Sequence, residues 1–338
     1  MFEKLIFKFS QNMYVNAKKR ILEFLRNKKS DGVMQRDIHS SLNLSKSTVS
    51  EILKELESKG EIVREKIGRS CRVWHSDFAP FPTGKVRVGL LKATEYPHVI
   101  LAARKLGLRI ILFDDALSLT RALTTGSLDI GISPLITQVM FGLLLKSIKI
   151  HAIVAYNGSG VVSSKKIEDG MSFGTTELST MESNLRLFTE RTGTQIGRIS
   201  YFDSVERMIE SYRKAEFDAL AIWEPYFSKL NGYKYEFRDV IGDFPCCSMA
   251  SSLPFYTSKR ELLVKFRKEM EKAIGRMNKK EMISVLSFMG FNEREIENSL
   301  KSYRFLAEIN EKDVKFLENY GIKLISENVS NLIDKLEF

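Results

Sequence analysis

Two short stretches carry residue types that could do chemistry. "SLNLSKSTVSEILKELESKG" (41–60) sets small hydroxyls and lysines at the start of a helical pattern. Short polar side chains reach phosphate and base edges without bulk, so this stretch has the grammar of a helix that enters DNA. "PCCSMASS" (245–252) puts Cys246 and Cys247 side by side. Deprotonated thiols ligate metals, but neighbouring side chains on a strand face opposite ways. An adjacent pair is then a poor chelator of one ion, and both cysteines read as packing residues. The third cysteine, Cys71, adds no disulfide framework and no CxxC pair. His39, His75, His98 and His151 are scattered. With no acid–base or metal constellation, no catalytic residue, no metal site and no cofactor is expected.

Charge supports the first stretch. The chain of 338 residues carries a net +10. Its first 76 residues hold 16 Lys and Arg against 9 Asp and Glu, and the remaining 262 hold 36 against 33. A surplus concentrated in the first fifth suits a face that meets phosphates. At 43% apolar residues, without repeats or low-complexity tracts, the chain should bury real cores and divide into two or three domains. The opening "MFEKLIFKFSQN" lacks the apolar run and cleavage site of a signal peptide. "LITQVMFGLLL" (135–145) is about half the length that spans a bilayer. The expectation is a cytoplasmic protein with no membrane partner.

The elements that must position the first stretch follow from apolar spacing. Ile21, Leu22 and Leu25 share one face of a basic helix over 16–29. A turn at Asp31-Gly32 leads into a second helix with Val33, Ile38 and Leu42 inward. Ser45 caps the third helix, Val49, Ile52, Leu53 and Leu56 form its buried stripe, and Gly60 ends it. "EIVREKIGRSCRVWHS" then reads as two strands about a turn at Gly68, with basic side chains outward. Ahead of the first helix, Phe2, Leu5, Ile6, Phe9 and Met13 recur at helical spacing, as a dimer contact or as packing against the rest of the chain.

Residues 16–76 resemble the winged helix-turn-helix, close to its MarR-like and Lrp-like forms. In that family the third helix lies in the major groove and the hairpin touches the backbone or minor groove. The resemblance implies that Ser45, Lys46, Ser47, Thr48, Ser50 and Lys54 face double-stranded DNA, with Arg64, Lys66 and Arg69 on the wing. The competing reading is a protein–protein module with a solvated helix.

"HSDFAPFPTGK" (75–85) reads as a short stiff linker. Beyond it, strand and helix patterns alternate through "KVRVGLL", "PHVILAARKLG", "RIILFDD", "SLTRALTTG", "DIGISP", "LITQVMFGLLLKS" and "KIHAIVAY". They resume from "MSFGTTEL" to "FDALAIWEPY". This predicts parallel α/β sheets in two lobes. Four amphipathic helices are expected after Ile274.

"LTRALTTGSLDIGISP", "VERMIESYRKAEFDALAIWEPY" and "YTSKRELLVKFRKEMEKAI", in that order, resemble the type 2 periplasmic-binding-protein fold. The branch is that of sulfonate, nitrate and thiamine-pyrimidine-precursor proteins. The last of the three strings is expected to hold the strand and helix that return the chain to the first lobe. A ligand in that fold sits between the lobes, against strand ends and helix N-termini. The resemblance implies ligand contacts from Lys92, Thr94, Glu95 and Tyr96, from Ser133, and from Asn157 and Ser159. Thr175, Thr176, Ser179 and Thr180 follow in the second lobe, with Trp223 and Glu224 at its last strand. Helix capping, packing and solvation are the competing roles.

The expected fold class is α/β, a winged helix domain (1–76), a linker (77–85) and a two-lobed ligand-binding domain (86–338) with C-terminal helices. The first lobe is expected over about 86–168 and 254–338, the second over about 169–253. The function expected is a ligand-responsive transcriptional regulator, a homodimer on DNA, taking a small anion or heteroaromatic molecule. The alternative is an enzyme of the thiamine-pyrimidine-precursor type working in the same cleft. The longer cysteine run of those synthases is absent.

Overall fold

A computed structural model describes residues 2–28, 31–68, 70–79, 85–321 and 329–337, with side chains in the first helix from Met13 onward. The described chain divides into two compact units, residues 1–86 and 87–338.

The first unit is built on the apolar stripes read above. Its elements are α1 (Phe2–Asn27), β1 (Val33–Met34), α2 (Gln35–Leu42), α3 (Lys46–Ser58), β2 (Ile62–Ile67) and β3 (Ser70–His75). Ile21, Leu25, Ile38, Val49, Ile52, Leu53, Leu56, Ile62 and Val73 form its buried core. The three strands make one antiparallel sheet in the order β1-β3-β2. Ser45 caps α3 by accepting the backbone N–H of Thr48 at 3.1 Å, which satisfies one of the helix's free donors. The order of helices and hairpin is the expected one. Two details differ. Val33 belongs to a strand paired with Val73 rather than to the second helix, and the stretch before residue 16 is the first half of α1 itself.

The second unit runs β4 (Arg87–Leu91), α4 (Pro97–Lys105), β5 (Arg109–Phe113), α5 (Ala116–Thr124), β6 (Ile130–Pro134), α6 (Leu135–Leu145), β7 (Ile148–Asn157) and β8 (Ser159–Ser163). It continues through β9 (Ser172–Thr175), α7 (Thr180–Thr192), β10 (Arg198–Tyr201), α8 (Val205–Arg213), β11 (Ala219–Trp223), α9 (Tyr226–Lys229), β12 (Tyr233–Glu236) and α10 (Phe237–Ile241). The return comprises β13 (Pro245–Ser252), α11 (Leu253–Arg276), α12 (Lys279–Leu286), α13 (Glu293–Ser299), β14 (Tyr303–Glu308) and α14 (Glu311–Phe316).

Two sheets define two lobes. The first lobe has the strand order β14-β7-β13-β6-β4-β5, the second β10-β9-β11-β8-β12. The strands expected to be parallel are so at β4-β5, β4-β6, β9-β10 and β9-β11, but β13, β14, β8 and β12 run antiparallel to their neighbours. The chain crosses between lobes at Gly158 and returns before Pro245. Residues 159–163 and 245–252 therefore belong to the opposite sheets from those expected. Gly158 has φ 81°, and a Cβ there would fall on the ring of Tyr303, so the crossing needs glycine.

Three expectations along the return are corrected. The strand that brings the chain back is "PCCSMASS", buried at all eight positions, whereas "YTSKRELLVKFRKEMEKAI" holds no strand and lies in α11, which is kinked at Lys259. "YRFLAE", read as helix, is β14 on the edge of β7. In the last stretch Ile333 bridges to Ile150 instead of lying within a long helix.

The Asp of "LDIGISP" also has a reason. Asp129 accepts from the guanidinium of Arg87 at 3.0 and 2.9 Å and from its backbone N–H at 2.8 Å. Both side chains are buried, and the two-pronged pair ties the first strand of the lobe to the third.

Candidate functional site

The cleft of the second unit is built where strand ends of both sheets converge. From the first lobe come Leu91, Ala93, Glu95, Asp114, Asp115, Ala116 and Pro134, together with Cys246 and Cys247 of β13. Thr176, Ser179, Thr180, Met181 and Trp223 face them from the second lobe. The cavity they enclose is only about 30 Å³, about the room of one water molecule. Outward, and sharing Asp115, Ala116 and Thr176 with it, lies a vestibule of about 330 Å³ that Glu177, Tyr201, Asp203 and Arg207 also line.

Hydrogen bonds hold the lobes together around this cavity. Trp223 donates its indole N–H to the carbonyl of Lys92 at 3.1 Å. Thr137 donates to the carbonyl of Leu178 at 2.6 Å and Thr180 to that of Cys246 at 3.2 Å. The Lys92 ammonium stands 2.9 Å from Glu206.

Of the residues singled out in the sequence, Glu95, Thr176, Ser179, Thr180 and Trp223 line the cavity. Ser179 also caps α7, accepting from the backbone of Glu182 at 3.3 Å, and its hydroxyl is 2.8 Å from that of Thr176. The buried hydroxyls of Ser159 and Thr175 have no hydrogen-bond partner among the described residues. Thr94 and Tyr96 are buried beside Glu95, and the Tyr96 hydroxyl is 3.5 Å from the Cys247 sulfur.

Other expected contacts have different duties. The hydroxyl of Ser133 is shared with Thr120 and Gln138 at 3.0 Å each, a buried network inside the first lobe. Asn157 binds Asp243 and the backbone of Phe244 at 2.8 and 3.2 Å, so it fixes the crossing between lobes. Glu224 accepts from Ser228 twice, at 3.0 and 2.7 Å, and from Ser302 at 3.1 Å. Its carboxylate is spent on holding α9. The Lys92 side chain is committed to Glu206. His98 lies against Phe305 with ring centroids 5.4 Å apart, and burial pushes its pKa down to about 3.

The two cysteines are buried, as packing residues would be, but they do not face opposite ways. Register shifts in β13 on both sides of Cys247 break the strict alternation of faces, so both thiols turn into the cleft with sulfurs 3.9 Å apart. Cys247 donates to Oε1 of Glu95 at 3.1 Å. The three donor atoms lie within 4.8 Å of one another, all buried, and Oε2 of Glu95 has no partner among the described residues. Desolvation raises the pKa of Glu95. Cys247 is held well above the thiol range, first by burial and then by Cys246 and Glu95. Contact with Cys247 pulls Cys246 down, but burial and Glu95 outweigh it and push it up to about 11. A strand bulge leaves no composition signal, which is why spacing alone could not find this cluster.

In the first unit, Ser45, Lys46, Ser47 and Lys54 are exposed and Thr48 and Ser50 half-buried. Lys66 is exposed on the hairpin. Arg64 is corrected: it is half-buried and donates to Glu57 of α3 at 2.9 Å, so its charge is committed within the unit. Arg69 lies outside the described residues, as do the side chains of Phe2, Leu5, Ile6 and Phe9 and most of the expected linker. Met13 and Val15 of α1 are each 65% exposed.

A family model described as "Domain of unknown function (DUF7343)" matches residues 15–74. No curated protein matches the chain. Among solved structures, the chain is similar to the ligand-binding component of an ABC-type import system from Staphylococcus aureus with zinc bound. The identity is 16% and the TM-score 0.65, over 74% of this chain and 96% of that one. It is also similar to the alkanesulfonate-binding protein of Xanthomonas axonopodis pv. citri bound to MOPS (16%, TM-score 0.60, 74% and 97%). The periplasmic nitrate-binding protein of Synechocystis PCC 6803 gives 14%, TM-score 0.60, 74% and 86%. The shared feature is the fold. The second unit has the two-lobed periplasmic-binding-protein architecture.

Proposed function

We propose that the protein is a DNA-binding transcriptional regulator, cytoplasmic and dimeric, whose grip on DNA is set by a ligand held between the two lobes of its second unit. One observation carries this reading. A small basic unit that exposes the start of its third helix (Lys46, Ser47) shares a chain with a two-lobed ligand-binding fold. The helix order and hairpin of that unit support the resemblance to a winged helix-turn-helix, in which the third helix enters the major groove. Ligand preference for closed lobes can bias the two forms by about 1–3 kcal/mol.

The test is selection of bound duplexes from a random pool by the full chain, followed by footprinting. The reading expects enrichment of a defined, two-fold related site. Failure to retain duplex DNA at low salt would end it.

A further inference from the structure

We propose that Glu95, Cys246 and Cys247 bind a thiophilic divalent metal ion of the zinc class, and that such an ion is the ligand of the cleft. This rests on reading the cleft as a ligand site and is independent of the DNA reading. Two thiolates bound at about 2.3 Å to one tetrahedral ion stand about 3.8 Å apart. The two sulfurs here are 3.9 Å apart, and the carboxylate oxygen of Glu95 is 3.1 Å from one of them. The three donors are thus already gathered about a common point.

The surroundings favour a cation of this size. The cavity beside the donors, about 30 Å³, leaves room for a water as the fourth ligand of a three-ligand zinc site. A sulfonate or heteroaromatic ring would need the lobes to part. No Lys or Arg lines the inner cavity among the described residues, while Asp114, Asp115 and Glu95 do. In the vestibule Arg207 is paired with Asp203 at 2.9 Å, which leaves Asp115 and Glu177 to draw cations inward. The expected anion is disfavoured by the same lining.

Without metal, burial raises the pKa of both thiols and of Glu95 and so favours their neutral forms. A divalent ion displaces both thiol protons and any proton on Glu95 to solvent as two metal–sulfur bonds and one metal–oxygen bond form, which leaves two thiolates and a carboxylate on one dication, a site of net charge −1. Met181 of the second lobe caps the same cavity with a polarizable thioether.

The test titrates the full chain with Co²⁺ and then Zn²⁺. About one equivalent of Co²⁺ should give a thiolate-to-metal charge-transfer band that Zn²⁺ abolishes and Mg²⁺ leaves intact. Cys246→Ser, Cys247→Ser and Glu95→Gln should each weaken binding by more than the 10- to 100-fold expected when a residue that only orients a ligand is lost. Cys71→Ser should change nothing. X-ray absorption of the zinc-loaded parent protein should report two sulfur donors with oxygen donors, a readout that needs no variant to fold. Absence of the band, or a zinc shell without sulfur, overturns the proposal and leaves DNA binding untouched. A metal shell as described with DNA affinity unaffected would keep this site and remove the regulatory reading.

Discussion

Trp223, which lines the cavity from the second lobe, donates its indole N–H to the backbone carbonyl of Lys92 in the first, 3.1 Å away. The same lysine reaches back to Glu206, so one residue receives a bond from the opposite lobe and gives one to it. A net hydrogen bond contributes about 0.5–1.5 kcal/mol and a half-exposed ion pair at most about 1. Trp223→Phe, which keeps the ring, should therefore shift the lobes toward an open form by up to about tenfold. Distances between spin labels on the two lobes measure this. An unchanged distance distribution would mean that the bond does not hold them together.

Asp129 should be the least replaceable carboxylate of the second unit. Removing one partner of a buried pair strands the other charge and costs about 3–5 kcal/mol. Asp129→Ala should lose that much stability in a denaturant titration, and Arg87→Met should lose a comparable amount because it leaves the Asp129 carboxylate buried without its partner, whereas the double variant should lose less than the two single losses combined.

Acid should expose the buried imidazoles. His98 and His151 are held neutral by burial, with pKa values down to about 3 and about 4, against about 6.5 unfolded. Between these values the unfolded chain binds more protons, so stability falls as pH drops below about 6.5 and keeps falling to about 4 for His151 and about 3 for His98. Each contributes a loss on the order of 2 kcal/mol from pH 7 to 5. Buried Glu95, Glu224 and Asp313 act oppositely, their pKa values being raised. The comparison is hence between parent and His98→Phe, which should show a shallower acid slope, by about one proton. Identical slopes would refute a neutral His98.

On DNA, Lys46→Ala should lower affinity and reduce the salt slope by about one. Arg64→Ala should change the slope less, because Glu57 already neutralises that guanidinium. An unchanged slope for Lys46→Ala would put this side chain away from the phosphates.

How much could be read from the sequence differs by element. The three helices and hairpin of the first unit were legible because Val49, Ile52, Leu53 and Leu56 keep a helical period and Ser45 and Gly60 bracket it. The strands from β4 to β6 stood out as apolar runs between helices. β14 did not, since Leu300, Tyr303 and Ala307 also fit helical spacing and only pairing with the edge of β7 decides between the two. About a third of the cavity lining was legible, through strand ends and helix caps such as Ser179. The cysteine cluster was not, because it depends on a bulge in β13 that sets two neighbours on one side.

The most direct test of the whole account is the affinity of the full chain for its selected duplex, measured by anisotropy with a chelator present and again with Zn²⁺. A metal-dependent change of about 5- to 150-fold is expected, lost in the Cys246→Ser, Cys247→Ser double variant. Equal affinities with and without the metal, in a protein shown to carry it, would contradict the account.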